Sequence, residues 1–418
     1  MYIWYLSLYE PLPLNGKNVR KMRTGWICDA LLEAENQVEL WVPGFDHLSH
    51  KNFRNKSSFE SIDKSFSIQY LKGLDYKSDT SIRRFFHNRF LASEFLKVAK
   101  ARTKLPDLII TQIPSLELAY AATKFAKTKN IPSIVDIRDL WPDIYKRLLP
   151  DFMKWTYKIL FFKEIIKLKA ILNNCNEIIA ISTNYLNWAK KYCKKNLSNK
   201  NVFYIGYCSK DISKSNEKRW NSFLSKRSID KDRKFIIFSG TFCNSYDLSP
   251  IVKALNIINE KKKQYHFLLA GEGDLPEDTF RDLKNCEDVS LLGWLDKTDL
   301  ALCLSHSDIG LAPYASDAMM SLPNKFFEYM AYNLPIISSL RSEMANIIES
   351  KKLGFNYLSN SPRSLSNAIS KLYSPESDIK AIKESIKREY SNNFDGIKIY
   401  KDLTNFVQSI YLENTQKY

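Results

Sequence analysis

Lys325 and Glu328 stand three residues apart in a helical pattern at residues 324–332, so they share one face near its first turn. A lysine there opposes the helix dipole. A bound diphosphate would offset that penalty, and Glu328 could accept from sugar or ribose hydroxyls. Pro323 restricts the approach, Asn324 is expected to cap the helix, and Leu322 lies just before them. The alternative is a solvated ion pair. Two glycine sets follow apolar runs: Gly240-Thr241 after residues 235–239, and Gly271-Glu272-Gly273 after residues 267–270. In an open parallel sheet, ligands bind outside the carboxyl ends of the strands. Glycine there lets backbone N–H groups approach a phosphate closely. Either set alone could be an ordinary turn. Neither has the GxGxxG spacing, which disfavours a dinucleotide. A third set, Val135 to Asp143 (VDIRDLWPD), places Arg138 and Asp139 just past another apolar run. Turn and cap chemistry is the alternative for its aspartates.

These residues need elements to carry them. Apolar runs at 2–8, 38–42, 105–111, 131–137, 178–182 and 202–205 read as buried strands. Helical patterns fall at 19–34, 115–129, 152–174 and 183–195. After a polar, charged stretch expected to hold one short helix, the alternation restarts, with strands at 235–239, 267–270, 289–292, 309–313, 335–338 and 355–357. Helices are expected at 248–261, 297–305 and 324–332. The pattern predicts an α/β chain of two Rossmann-like domains facing across a cleft. The expected boundaries are an N-terminal domain at 1–205, a linker at 206–233, a C-terminal domain at 234–390, and a helix at 391–418 returning to the first domain.

The 418 residues are 44% hydrophobic and 26% charged, which excludes wholesale disorder. Glycine is scarce, with 12 residues and none between Gly73 and Gly206, so those following strands draw attention. A net charge of +16 attracts polyanions. The lysines are dispersed and no recognition motif accompanies them, so nucleic acid is not the expected partner. Seven scattered cysteines without a CxxC pair argue against a zinc site or disulfide framework and fit a reducing cytosol. The opening MYIWYLSLYEPLPLNG lacks a basic n-region and reads as a strand. Residues 152–172 interleave apolar and aromatic positions with Lys154, Lys158, Lys163, Lys167 and Lys169. Such a basic amphipathic helix could lie on an anionic membrane surface, or pack on the sheet with its lysines solvated.

Three motifs in order resemble a known family. SGTF, then AGEGD with Leu292-Gly293-Trp294, then LPNKFFEYMAYNLPIISS are similar to the donor domain of retaining glycosyltransferases of family 4, which have the GT-B fold. Gly16, VDIRDLWPD and EIIAIS (Glu177 to Ser182) resemble a bacterial subgroup that builds surface polysaccharide such as O-antigen and capsule. The resemblance implies a nucleotide-diphosphate sugar donor as substrate and a glycan or polyprenyl-diphosphate-linked acceptor. A basic residue and glycine turns without a paired-carboxylate signature lead us to expect no metal or other cofactor. A cytoplasmic protein is expected from the cysteines, and the membrane reading of residues 152–172 fits such an acceptor at the inner face of the cytoplasmic membrane. By resemblance, Gly240, Thr241 and Lys325 would line the diphosphate, and Gly271, Glu272 and Gly273 would lie near the base or diphosphate. Trp294 would lie by the base, Glu328 at the ribose, and backbone near Ser321 and Leu322 at the donor sugar. Gly16 would close from the facing domain, Arg138 would stand beside the donor sugar, and Asp139 would orient acceptor or sugar. The family's pair of glutamates is met once: Glu328 fits the second, and the first falls on Met320. The usual basic residues after the Gly–Thr turn are replaced by Asn244, Tyr246 and Asp247. A GT-B epimerase or phosphorylase, and a non-catalytic partner subunit, share these features.

Overall fold

The computed structural model describes residues 1–10, 21–47, 51–76, 82–208, 217–260 and 263–415. The chain folds as two units, Met1–Tyr204 with Ile399–Tyr418, and Ile205–Lys398.

The first unit holds β1 (Tyr2–Leu6), β2 (Gln37–Pro43), a two-residue pair β3 (Phe45–Asp46) and β4 (Lys51–Asn52), then β5 (Ser58–Ser61), β6 (Phe66–Leu71), β7 (Leu108–Ile113), β8 (Ser133–Ile137) and β9 (Glu177–Ala180). Its main sheet runs β5-β6-β2-β1-β7-β8-β9. Every neighbour pair is parallel except β5 with β6. Helices cover both faces of such a sheet, so its inner strands are continuous apolar runs. Trp4 and Trp41 lie 4.6 Å apart in the core, with Phe95 against Trp41 at 5.2 Å. The last helix, Gly396–Thr415, brings Phe406 onto Phe203 and Asn414 within 3.1 Å of Asn176.

Several expectations for this unit need correction. The sequence reading assigns nothing between Val42 and Leu105, yet β5, β6 and the helix Ile82–Lys100 form there. β5 is a half-exposed edge strand, and β6 buries Gln69, which donates to Ser58 O at 3.0 Å, so neither shows an apolar run. Residues 202–205 make only an isolated bridge, Val202 to Ala180. The single helix expected over 152–174 is a 3-10 turn (Asp151–Thr156), a short helix (Tyr157–Leu160) and a longer one (Phe162–Asn174). The break at Phe161 lets its ring stack on Tyr145 and Tyr157, at 5.0 and 5.3 Å.

The second unit holds β10 (Lys234–Ser239), β11 (Tyr265–Ala270), β12 (Val289–Gly293), β13 (Ile309–Ala312), β14 (Ile336–Ser338) and β15 (Gly354–Asn356). All its pairs are parallel, in the order β12-β11-β10-β13-β14-β15. The order reverses between β10 and β13. The crevice outside the carboxyl ends of those strands is where such sheets bind ligands. Within the stretch read as a linker, Glu217–Ser225 is a helix that buries Trp220 against Phe235 and His306.

Candidate functional site

The site in the second unit forms where β10 and β11 stop. Gly240 takes φ 152° and Gly271 φ 146°, backbone that side chains rarely adopt. A Cβ on Gly271 would lie 1.9 Å from the Gly240 carbonyl oxygen, so the two turns close on bare backbone. Gly240 N–H donates to Ala270 O, Gly271 N–H to Gly293 O, and Phe242 N–H to Glu272 O, each at 2.8 Å. These bonds tie the Gly–Thr turn, the Gly-Glu-Gly loop and the end of β12 into one rim. Glu272 Oε1 accepts from the Trp294 N–H at 3.3 Å, and the Trp294 side chain stands 70% exposed above it. Beside the loop, Phe242, Gly271, Gly273, Phe280 and Leu291 line a largely apolar pocket of about 550 Å³.

The helix Asn324–Ala331 starts at this rim. Pro323 holds the cap position in an extended conformation and no side chain caps the helix, which corrects the expectation for Asn324. Asn324 is exposed and Leu322 is buried. Lys325 and Glu328 are also buried, at 6% and 2% exposure, so a solvated ion pair is excluded. The Lys325 Nζ donates to the Tyr246 hydroxyl at 2.9 Å. It lies 4.7 Å from the Phe238 ring centre and 4.4 Å from that of Tyr246. A Cβ on Gly240 would lie 2.2 Å from this Nζ, which puts the ammonium directly at the Gly–Thr turn. Among the described residues no carboxylate lies within 4 Å of it. Glu328 Oε2 accepts from Ser239 Oγ at 2.8 Å, immediately before Gly240. Tyr329 donates to Leu311 O at 2.7 Å, and its ring lies so close to Gly310 that a Cβ there would stand 2.4 Å from it. That contact fixes the helix against β13.

Aromatic rings partly offset burial of a cation, and the unmatched charge is aimed at the strand ends. Such a rim can hold an anion through Lys325 and a helix N-terminus together.

In the first unit the candidate residues Arg138 and Asp139 lie at the end of β8. Arg138 Nε donates to Asp136 at 2.7 Å, and its Nη1 to Glu10 at 2.5 Å and Thr24 at 3.0 Å. Its Nη2 meets the Tyr5 hydroxyl. Arg23 grips the same Asp136 through two bonds, at 3.0 and 3.2 Å. Burial works against the Asp136 carboxylate, yet Arg23 and Arg138 together hold it below the usual range. Arg138 thus fixes the end of β8. Asp139 follows it, half-buried, accepting from the Leu140 N–H at 2.8 Å, with burial raising its pKa. Gly16 lies outside the described residues.

Comparison with known proteins fits this arrangement. Residues 233–375 match the family model of glycosyl transferases group 1. The whole chain superposes on sucrose-phosphate synthase of Thermosynechococcus elongatus, with TM-score 0.73, 14% identity and 99% of each chain covered. It also superposes on Anabaena HepE in complex with UDP-glucose, with TM-score 0.64, 13% identity, and 98% and 100% covered. The fold is GT-B. A curated relative, the amylovoran biosynthesis glycosyltransferase AmsK of Erwinia amylovora, is 23% identical over 171 residues. That stretch is 39% of this chain and spans 42% of the relative's length.

The structure brings Gly240, Thr241, Gly271, Glu272, Gly273, Trp294, Leu322, Asn324, Lys325 and Glu328 to one end of one sheet. Sequence reasoning missed Phe238, Ser239 and Tyr246 as partners of the two helix residues. Tyr246 was legible only as the place where basic residues are lacking.

Proposed function

We propose that the protein is a glycosyltransferase that takes a nucleotide-diphosphate sugar in its second unit. The observation that carries this reading is Lys325: a buried ammonium with no carboxylate within 4 Å among the described residues, at the glycine turn that ends the central strand. Departure of a nucleoside diphosphate develops negative charge on phosphate oxygen. A fixed ammonium at a helix N-terminus stabilises that charge without reorganising. Lys325 and the Gly240-Thr241 turn then hold the diphosphate, and Glu328, fixed by Ser239, receives ribose hydroxyls. The base lies by Trp294 and the Gly271–Gly273 loop, next to a pocket of suitable size. Backbone around Leu322 and Asn324 takes the donor sugar in place of the glutamate that Met320 replaces. Asp139 orients the acceptor, and Arg138 positions the loop that carries it.

In this reading the transfer retains anomeric configuration and needs no metal. The sugar–phosphate bond breaks, the acceptor hydroxyl attacks on the same face, and its proton passes to the departing phosphate oxygen. The acceptor is a glycan or polyprenyl-diphosphate-linked glycan in surface-polysaccharide assembly. Support comes from the group 1 match over the second unit, the UDP-glucose held by HepE, and the amylovoran role of AmsK.

A thermal-shift panel of UDP-, GDP- and dTDP-sugars tests the donor. One nucleotide sugar at about 100 times its Kd stabilises the fold by ~2.7 kcal/mol. Turnover with that donor should survive EDTA and give a product of unchanged anomeric configuration. Met320 favours one second reading, a non-catalytic partner subunit, and a panel with no responding nucleotide would decide for it.

A further inference from the structure

In the first unit, residues 152–166 present six large apolar side chains to solvent. Phe152 is 77% exposed, Trp155 75%, Ile159 70%, Leu160 56%, Phe162 60% and Ile166 49%. Single exposed apolar residues are ordinary; a contiguous group marks an interaction surface.

Local structure puts them there. In the 3-10 turn Asp151–Thr156, residues three apart eclipse, so Phe152 and Trp155 stack on one side. In the helix Phe162–Asn174, Phe162 and Ile166 are one turn apart on one face. The opposite side is already packed. Tyr157 is buried and donates to Asp143 Oδ1 at 2.7 Å. The same carboxyl group accepts from Trp188 Nε1 and the Tyr192 hydroxyl, both at 2.9 Å. Phe161 stacks inward, and Leu168, Ile171 and Leu172 are buried. The segment is therefore anchored through one face while its outer apolar face stays in solvent.

Charge selects the occupant. Lys154, Lys158, Lys163 and Lys169 are exposed among these apolar residues. Lys154 meets the exposed Asp151 at 2.5 Å, and Lys167 is tied to Glu117 at 2.9 Å. Among the described residues, no carboxylate lies within 4 Å of Lys158, Lys163 or Lys169. Glu164 is the other acid of the segment. Aromatic and aliphatic anchors interleaved with unmatched ammonium groups fit a bilayer interface, with rings at the acyl boundary and lysines at phosphates. No helix among the described residues is long and apolar enough to cross a membrane.

We propose that this face docks the protein on the surface of an anionic lipid bilayer. The proposal stands apart from the donor reading, because its residues lie outside the second unit. Flotation of the full chain with vesicles tests it. One set is phosphatidylcholine alone, and the other contains phosphatidylglycerol. The chain should float with anionic vesicles, far less with neutral ones, and less as salt rises. Phe152→Ser with Trp155→Ser should weaken partition about tenfold or more by removing apolar anchors. Lys158→Glu with Lys163→Glu should weaken it at least as much, and only on anionic vesicles, since each surface lysine is worth roughly fivefold. Both pairs should melt like the parent and keep its nucleotide response. Absence of binding at low salt overturns the proposal, as does binding that neither pair diminishes. Self-association abolished by the Phe152/Trp155 pair, without vesicle binding, would assign the face to a second copy instead.

Discussion

Lys325 concentrates the functional claim in one side chain. A buried cation with no carboxylate beside it among the described residues costs stability, and the Phe238 and Tyr246 rings offset only part of that. Methionine has similar length and suits an aromatic surround. Lys325→Met should therefore leave the free protein as stable as the parent, or more stable by about 1 kcal/mol. The same change should weaken nucleoside-diphosphate binding roughly 10²-fold, because it removes a preorganised charge from the phosphate site. Glu328→Gln separates the neighbouring role. It keeps the hydrogen bond from Ser239 in reach but removes the carboxylate, so kcat/KM for the nucleotide sugar should fall about tenfold or more. An unchanged kcat/KM would remove Glu328 from the ribose.

At the scale of elements, the glycine rim depends on two strands ending side by side. Gly271→Ala would drive a methyl group into the Gly240 carbonyl, 1.9 Å away, on a backbone with positive φ. Strain of that kind costs on the order of 1–3 kcal/mol. The expected outcome in urea unfolding is a lower midpoint for the second unit and loss of the nucleotide response. A parent-like midpoint would show that the two turns do not abut. This rim was readable in advance because central parallel strands are continuous apolar runs, and the glycines stop them abruptly. The contacts made by the helix were not. Spacing put Lys325 and Glu328 on one face, facing a ligand or, as the alternative, pairing with each other in solvent. Their actual partners, Tyr246 and Ser239, come from the loop after β10 and the end of β10, far away in sequence. The edge strand β5 and the buried Gln69 of β6 were invisible because polar groups satisfied by tertiary contacts leave no hydrophobic period. The helix break at Phe161 was hidden by the opposite cause. Apolar residues face both inward and outward there, so periodicity could not separate core from surface.

At the scale of the whole molecule, each unit buries one histidine among the described residues. His87 packs against the backbone of Leu74, and burial pushes it down to about 4. His266 lies 2.9 Å from Ser290 Oγ and is pushed down to about 4, by burial first and then by the charge of Arg233. In the unfolded chain both protonate near the ordinary value of about 6.5. Between those limits the unfolded state binds more protons, so stability falls as pH drops from about 6.5 toward 4. Melting temperature should decline over that window. His87→Gln and His266→Gln should each flatten the decline, whatever the starting stability of the variant. A slope unaffected by either substitution would show that these rings are already protonated or solvated.

The central claim is that the lysine at the glycine turn holds a nucleoside diphosphate. Titration calorimetry of the parent and Lys325→Met with the nucleotide that responds best in the thermal-shift panel addresses it directly, with a melt of each free protein alongside. The expected result is binding by the parent and roughly 10²-fold weaker or undetectable binding by a variant that melts at or above the parent. Equal affinity in a fully folded Lys325→Met protein would contradict the account.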